Sequence, residues 1–299
     1  MTQRLSILIY HRVLPAPDPI QPDVPDVRLF ARQMNLLKRW FRVLPLGTAV
    51  RHLRQGTLPA RAACITFDDG YADNADHALP VLQRLGLPAC FFIATAYLDG
   101  GRMWNDDVIE YVRRAPADLL DLRDIGCGLL PARNTAQKVS AVEAILGRLK
   151  YLPFAQRQAT VSRLATPRQE ELMLSTRRLQ ALHQAGMEIG AHTERHPILA
   201  RISDDDALAE IAGSKRTLER ITAAPVTLFA YPNGKPAVDF GARDVRLAAT
   251  LGFEAAVTTA AGVAGSGSDL FQLPRYTPWE PDRPRFLFRL LQNHWRRPA

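Results

Sequence analysis

The chain has 299 residues, 47% hydrophobic and 23% charged, and its 38 basic and 30 acidic side chains leave a net charge of +8 and a pI near 9.7. That balance excludes a disordered chain, a collagen-like repeat and a coiled-coil rod, and the length suffices for one large core or two modest ones. The surplus of cations suits nucleic acid, an anionic membrane face or a phosphate-bearing glycan carrier, and net charge alone selects none of them.

The first apolar, β-prone run is Ser6–Ile9, directly followed by His11. It is too short for a secretory h-region, so secretion is not expected, and no run approaches the roughly 20 apolar residues of a membrane span. The expected location is therefore the cytoplasm or the inner face of a membrane. Pro15–Pro25 reads as an extended loop and Leu29–Trp40 as an amphipathic helix. A second strand, Cys64–Phe67, runs into Asp68-Asp69-Gly70-Tyr71, then a helix over Asp73–Leu85 stopped by Gly86, then a strand over Ala89–Ala94.

From about residue 99 to 171 the chain makes an excursion of roughly seventy residues, too long for a plain crossover. It opens on Met103-Trp104-Asn105-Asp106 and has helical stretches at Asn105–Arg113, Ala136–Leu152 and Phe154–Leu164, so a mainly helical cap over the site is expected. Alternation then resumes: helix Leu172–Ala185, strand Met187–Ala191, helix Asp204–Ile221 behind the N-cap Ser203, strand Thr227–Ala230, helix Asp239–Leu251 and strand Ala255–Thr258. Ala260–Ser268 reads as a flexible loop, and a basic tail covers about 281–299. The order predicts an α/β fold with mostly parallel strands. Cys64, Cys90 and Cys127 contain no Cys-x-x-Cys pair, which argues against a disulfide framework or a thiolate zinc site; the first two lie in apolar runs and are expected as buried thiols.

Three strand ends carry the chemistry. Asp68 and Asp69 would repel each other unless a cation or a proton separates their roles, and one metal ligand beside one general base is the natural division, although Asp-Asp-Gly is also ordinary turn chemistry. His192-Thr193-Glu194-Arg195-His196-Pro197 sets two imidazoles four residues apart, within reach of one metal when the intervening turn is tight, and Pro197 disfavours a helix there. One carboxylate and two histidines leave open positions on a divalent ion, the composition of a hydrolytic metal site. Tyr231-Pro232-Asn233-Gly234 is a rigid turn able to aim a backbone N–H at a developing oxyanion, or simply a β-turn.

These motifs in this order resemble the polysaccharide deacetylases of carbohydrate esterase family 4, the NodB-like group, in outline over residues 6 to 275. Tyr10-His11-Arg12-Val13 and Met103-Trp104-Asn105-Asp106 are similar to the bacterial branch found with exopolysaccharide synthesis. The resemblance implies a distorted (β/α) barrel in a single domain and removal of acyl groups from N- or O-acylated sugars. It implies Asp68 as base, Asp69, His192 and His196 as metal ligands, and the turn Tyr231–Asn233, Asn233 foremost, as oxyanion donor. Zn²⁺ suits that donor set, with Co²⁺, Ni²⁺ and Mn²⁺ also compatible.

The chain departs from the family in two places. Where many members carry a base-orienting arginine this chain has Ala230, and Arg275 is the candidate substitute. The usual late Leu-x-His source of the general acid is missing, which leaves His11 as candidate acid and His294 in a tail expected outside the barrel. His52, His77 and His183 are expected to face solvent. Tyr71, Trp104, Asn105 and Asp106 are candidate sugar contacts. The implied reaction is deacetylation of a polysaccharide or lipid-linked glycan, with a sugar deformylase or other amide deacylase, or an inactive glycan-binding scaffold, as alternatives. No nucleic-acid motif is present. The apolar and cationic residues of Arg285–Leu291 and Trp295–Arg297 fit either a membrane-surface helix or a helix docked on the barrel.

Overall fold

The computed structural model describes residues 3–116, 118–164, 171–278, 280 and 282–296. Strand β1 (Leu5–Tyr10) is buried along its whole length. Helix α1 (Val27–Trp40) follows, its first turn capped by the Asp26 carboxylate accepting from the Leu29 N–H. After β2 (Arg42–Val43) and α2 (Leu46–Gln55) comes β3 (Ala62–Phe67), again fully buried. A π-helical turn, Asn74–Ala78, leads into α3 (Leu79–Leu85), and Gly86 in the left-handed conformation ends it before β4 (Cys90–Ile93).

The excursion consists of α4 (Trp104–Arg114), the hairpin β5 (Leu119–Leu122) and β6 (Gly128–Pro131), α5 (Thr135–Leu149) and α6 (Phe154–Leu164). It has its own apolar cluster, including Val108, Val112, Leu122, Ile145, Leu149 and Val161. The chain then returns through α7 (Thr176–Gln184), β7 (Glu188–Ala191), α8 (Asp204–Thr222), β8 (Leu228–Ala230), α9 (Ala242–Thr250), β9 (Ala255–Ala261), β10 (Leu273–Arg275) and α10 (Arg283–His294).

The main strands are parallel in the order β1-β3-β4-β7-β8-β9-β10, with β2 beside the start of β3. Just past β10, Tyr276 N–H donates to Ile7 O at 2.7 Å and Tyr276 O accepts from Ile9 N–H at 3.0 Å, which brings the two ends of the sheet together into a nearly closed barrel. Strands covered on both faces need apolar side chains at successive positions, and this is why they read as continuous rather than alternating runs. Ile7, Cys64, Phe92, Leu228 and Val257 pack together with Leu46, Val50 and Leu53 of α2. A second layer, including Tyr10, Phe30, Phe67, Phe91 and Phe229, packs against the surrounding helices. Cys64 and Cys90 are buried free thiols, as expected.

Several boundaries differ from the sequence reading. Helix α7 starts at Thr176 rather than Leu172, because Met173 bridges Tyr71 and the Leu174 N–H donates to Gly70 O, which holds that stretch extended. Helix α9 starts at Ala242 rather than Asp239, because the Asp239 carboxylate turns back to accept from the Lys235 N–H while Asp244 accepts from Gly241. Short helix α2 and hairpin β5–β6 were not anticipated. His52, His77 and His183 are half-buried rather than fully solvent-facing.

The tail expectation for His294 is corrected. Helix α10 docks on α1 and β1 through buried Phe286 and Leu290, and His294 is itself buried, sharing a 3.0 Å hydrogen bond with Ser6 Oγ and meeting Phe41 edge-on. Phe288 and Trp295 stay exposed. Arg297 and residues 165–170, within the predicted tail and excursion, lie outside the described residues. Among those described, no helix is long and apolar enough to cross a membrane.

Candidate active site

The site stands at the C-terminal ends of the barrel strands, where βα loops converge. At the end of β3, Asp69 and Gly70 both hold positive φ, 75° and 86°. This double left-handed turn sends Asp68 and Asp69 into different surroundings, and the Asp69 carbonyl accepts from the Ala94 N–H to fasten the turn to β4. At the end of β7, Thr193 and His196 also have positive φ, 62° and 55°. Thr193 Oγ1 donates to His192 O and accepts from the His196 N–H, while the buried Glu210 of α8 accepts from the N–H groups of Glu194 and Arg195 and from Arg195 Nε. Left-handed backbone at non-glycine residues costs on the order of 1 kcal/mol each and persists only where surroundings enforce it. Here Asp69, Thr193 and His196 carry it within the two turns that converge.

Asp69 Oδ1 lies 3.5 Å from His192 Nε2 and 3.4 Å from His196 Nε2, and the three candidate ligand atoms all fall within 4.8 Å of one another. His192 Nδ1 is 2.7 Å from Ala230 O, so Nδ1 carries a proton and Nε2 faces Asp69; burial lowers the His192 pKa, but Asp69 and Asp68 outweigh it and raise it, a pull that a cation bound between these groups would remove. Asp69 Oδ1 is buried with no hydrogen-bond donor, a costly condition that a cation between the three atoms relieves. Burial opposes ionisation of Asp69, but His192 and His196 outweigh it and hold the carboxyl well below the usual carboxylate range. Burial pushes His196 down to about 3, with the charges of His192 and Arg157 opposing the pull of Asp69 and Asp68. A neutral imidazole and an ionised carboxylate are the protonation states that divalent metal binding requires. The donor set therefore fits such an ion.

Asp68 has a different partner. Arg275 Nη1 and Nη2 donate to its two carboxylate oxygens at 2.7 and 2.6 Å, Nε donates to Thr258 O at 2.7 Å, and Nη1 also reaches Thr66 Oγ1. Both residues are buried, Arg275 to 1% exposure. Burial would raise the Asp68 pKa, but the guanidinium fork, helped by His192, takes it below the usual range. Ala230 leaves the end of β8 without a guanidinium, and the one from the end of β10 occupies the site instead.

A cavity of about 320 Å³ opens above these groups, lined by Asp68, Asp69, His192, His196, His11, Asn233, Thr259, Met103, Trp104, Asn105, Leu146, Gly147 and Lys150. His11 is exposed at its rim, and its backbone is anchored by Asn74 Nδ2 donating to His11 O, with Asp73 accepting from the Val13 N–H and Arg12 next to it. Asn233 lines the cavity with φ 59°, and its carbonyl accepts from Thr259 Oγ1.

Three of the expected site residues point elsewhere. The Tyr231 ring stacks on Phe240 at 3.8 Å and its hydroxyl donates to Phe271 O, so only its backbone belongs to the turn. Tyr71 and Asp106 are buried behind the cavity wall, the phenol donating to Asp106 Oδ1 and accepting from Asn105 Nδ2. Of the four candidate sugar contacts, Trp104 and Asn105 open onto the cavity and Tyr71 and Asp106 support them. Lys150, Leu146 and Gly147 were missed, since nothing in a polar helix end announces which side of it covers a barrel.

Comparison with known proteins agrees with this geometry. The family profile for polysaccharide deacetylase matches residues 55–126 and 137–256, well over half the chain. The chain belongs to the polysaccharide deacetylase family. Among curated proteins it is 21% identical over 273 residues to YxkH of Bacillus subtilis, covering 91% of this chain and 70% of that one, a protein named for the same family. Among solved structures it is similar to the deacetylase PplD of Streptococcus pyogenes, with 20% identity, a TM-score of 0.65 and coverage of 98% and 99% of the two chains. IcaB of Ammonifex degensii gives 20% identity, a TM-score of 0.63 and coverage of 97% and 96%. At these identities the likeness fixes the fold, the nearly closed (β/α) barrel of these deacetylases. The chemistry rests on this chain's own residues.

Proposed function

We propose that this member of the polysaccharide deacetylase family is a metal-dependent hydrolase that removes acetyl groups from N-acetylated sugars of a polysaccharide or lipid-linked glycan. The observation that carries this reading is the Arg275-clamped Asp68 beside the Asp69, His192 and His196 cluster on the floor of one cavity. A divalent ion held by those three residues would supply an acidified water and a Lewis acid for the acyl carbonyl; Zn²⁺ suits them best.

The chain's own groups provide the rest. Asp68, ionised at neutral pH and fixed by two hydrogen bonds, accepts the proton of the attacking water. Arg275 prevents that carboxylate from rotating. The N–H of Asn233, a residue that lines the cavity, is the donor for the oxygen of the acyl group as negative charge develops on it. His11 is the group at the rim that protonates the departing sugar amine. Trp104 offers a ring face and Asn105 an amide to the sugar.

The test is acetate release from N-acetylated oligosaccharides by metal-stripped protein, Zn²⁺-reconstituted protein and an Asp68→Asn variant. Release is expected from the reconstituted wild type alone, with Asp68→Asn reduced at least about 100-fold, the usual worth of a general base. Release without added metal, or undiminished by Asp68→Asn, overturns the mechanism. Peripheral membrane contact through the tail rests on Phe288 and Trp295, both 66% exposed and flanked by arginines. A Phe288→Ser/Trp295→Ser protein that sediments with anionic vesicles as well as the wild type discards it.

A further inference from the structure

On the side of the excursion, Lys150 lines the cavity and Arg157 lies buried against Trp104, and among the described residues no carboxylate pairs with either. Arg157 of α6 is 3% exposed, and no acidic side chain among the described residues pairs with it. Its Nη1 donates to Lys150 O at 3.2 Å, its guanidinium lies over the rings of Trp104 at 4.9 Å and Phe154 at 5.6 Å, and its Nε is buried with no hydrogen-bond partner. Burial pulls its pKa below the ordinary arginine value. Its charge is felt at His196, one of the candidate metal ligands. Lys150, at the end of α5, lines the cavity itself, its ammonium 5.3 Å from the Tyr151 ring.

This arrangement does not reflect a shortage of acids nearby. In the same excursion Arg113 pairs with Asp18 and Glu110, Arg123 with Asp121 and Arg163 with Asp124. On the cavity floor the Asp68 carboxylate is already neutralised by Arg275. A buried guanidinium without an anion is expensive, and a second cation beside it raises the cost. An anion arriving from outside offsets both.

We infer that Lys150, with the buried charge of Arg157 beside it, forms an anion subsite at the wall of the cavity, which holds a carboxylate or phosphate on the acylated sugar or the unit next to it. The inference rests on the acyl-sugar reading above and narrows its substrate class to an acidic glycan or a sugar phosphate. Trp104 joins the two regions: it lines the cavity and carries Arg157 on its ring, so a sugar stacked there brings a substituent toward both cations.

The test is calorimetric binding to Zn²⁺-loaded Asp68→Asn protein, which prevents turnover, with three probes. These are di-N-acetylchitobiose, N-acetylglucosamine 1-phosphate and an N-acetylglucosamine–glucuronate disaccharide. At least one charged probe is expected to bind about tenfold more tightly than the neutral one, the worth of one charge-assisted hydrogen bond. Which of the two gains identifies phosphate or carboxylate as the group recognised. Lys150→Met and Arg157→Met, each in that background, are expected to bring the preference within about twofold. Lys150 is only half-buried, so its variant reads out binding even if Arg157→Met loosens the fold. Probes that bind alike or not at all, or a preference that survives Lys150→Met, overturn the subsite. Acetate release from neutral chito-oligosaccharides by the wild type is measured in the same buffer, so failure of the subsite is distinguished from failure of the hydrolase reading.

Discussion

Arg275 shows how much one residue does in this barrel. It is fully buried, and its four hydrogen bonds tie the end of β10 to β3 and β9 while locking Asp68. A point charge would not replace a fork that engages both carboxylate oxygens. Arg275→Met is therefore expected to lower kcat about 100-fold with metal content unchanged, and to destabilise the fold by about 3 kcal/mol because it strands a buried carboxylate. The pH profile gives a sharper sign. With the guanidinium gone, burial is opposed only by the weaker pull of His192 and His11 and the Asp68 pKa rises, so the acid limb of kcat/KM moves to higher pH. An acid limb that stays in place would mean that Arg275 does not tune the base.

At the scale of an element, α10 illustrates how a cationic, partly apolar stretch acquires a role from its packing. Leu290 and Phe286 face the outer core and Phe288 faces outward. Leu290→Ala is expected to cost about 2 to 5 kcal/mol and Phe288→Ala less than about 0.5 kcal/mol, measured by urea unfolding; equal effects would contradict the docking. His294 adds a pH signature. Burial, with the charges of Arg4 and Arg61, pushes its pKa down to about 4, whereas in an unfolded chain it titrates near about 6.5. Between those values the unfolded state binds a proton that the folded state refuses, so stability from this residue is present above about pH 6.5 and is lost as the pH falls toward 4. His294→Asn is expected to flatten the stability curve in that window, and an unaltered slope would place the titration elsewhere.

For the molecule as a whole, the candidate metal site links β3 to β7, elements more than one hundred residues apart in sequence. An ion that binds only the folded arrangement stabilises it by mass action, by about 2.7 kcal/mol at a concentration one hundred times its dissociation constant. Zn²⁺ is thus expected to raise Tm in a concentration-dependent way, and His196→Ala to remove most of the rise. A Tm unmoved by Zn²⁺, Co²⁺, Ni²⁺ or Mn²⁺ would argue against a metal at these three residues. The excursion gives the cavity a wall that the barrel alone lacks, since Trp104, Asn105, Leu146, Gly147 and Lys150 all come from it.

The sequence by itself determined the alternation of elements and the residues at three strand ends, because burial on both faces writes apolar runs and sharp turns write Asp-Asp-Gly and Pro-Asn-Gly into the chain. Asp68, Asp69, His192 and His196 were legible for that reason: local backbone geometry sets them next to one another within each motif. Arg275 was legible only as a candidate, because its pairing with Asp68 spans 207 residues and depends on the barrel closing. Tertiary structure alone turned Tyr231 into the outer layer, hid Tyr71 and Asp106 behind the wall, and buried His294 against Ser6. It also left Arg157, among the described residues, without a carboxylate partner. Side-chain direction on a helix or past a turn follows from what packs against it, and a helix docked across a barrel meets partners far away in the chain.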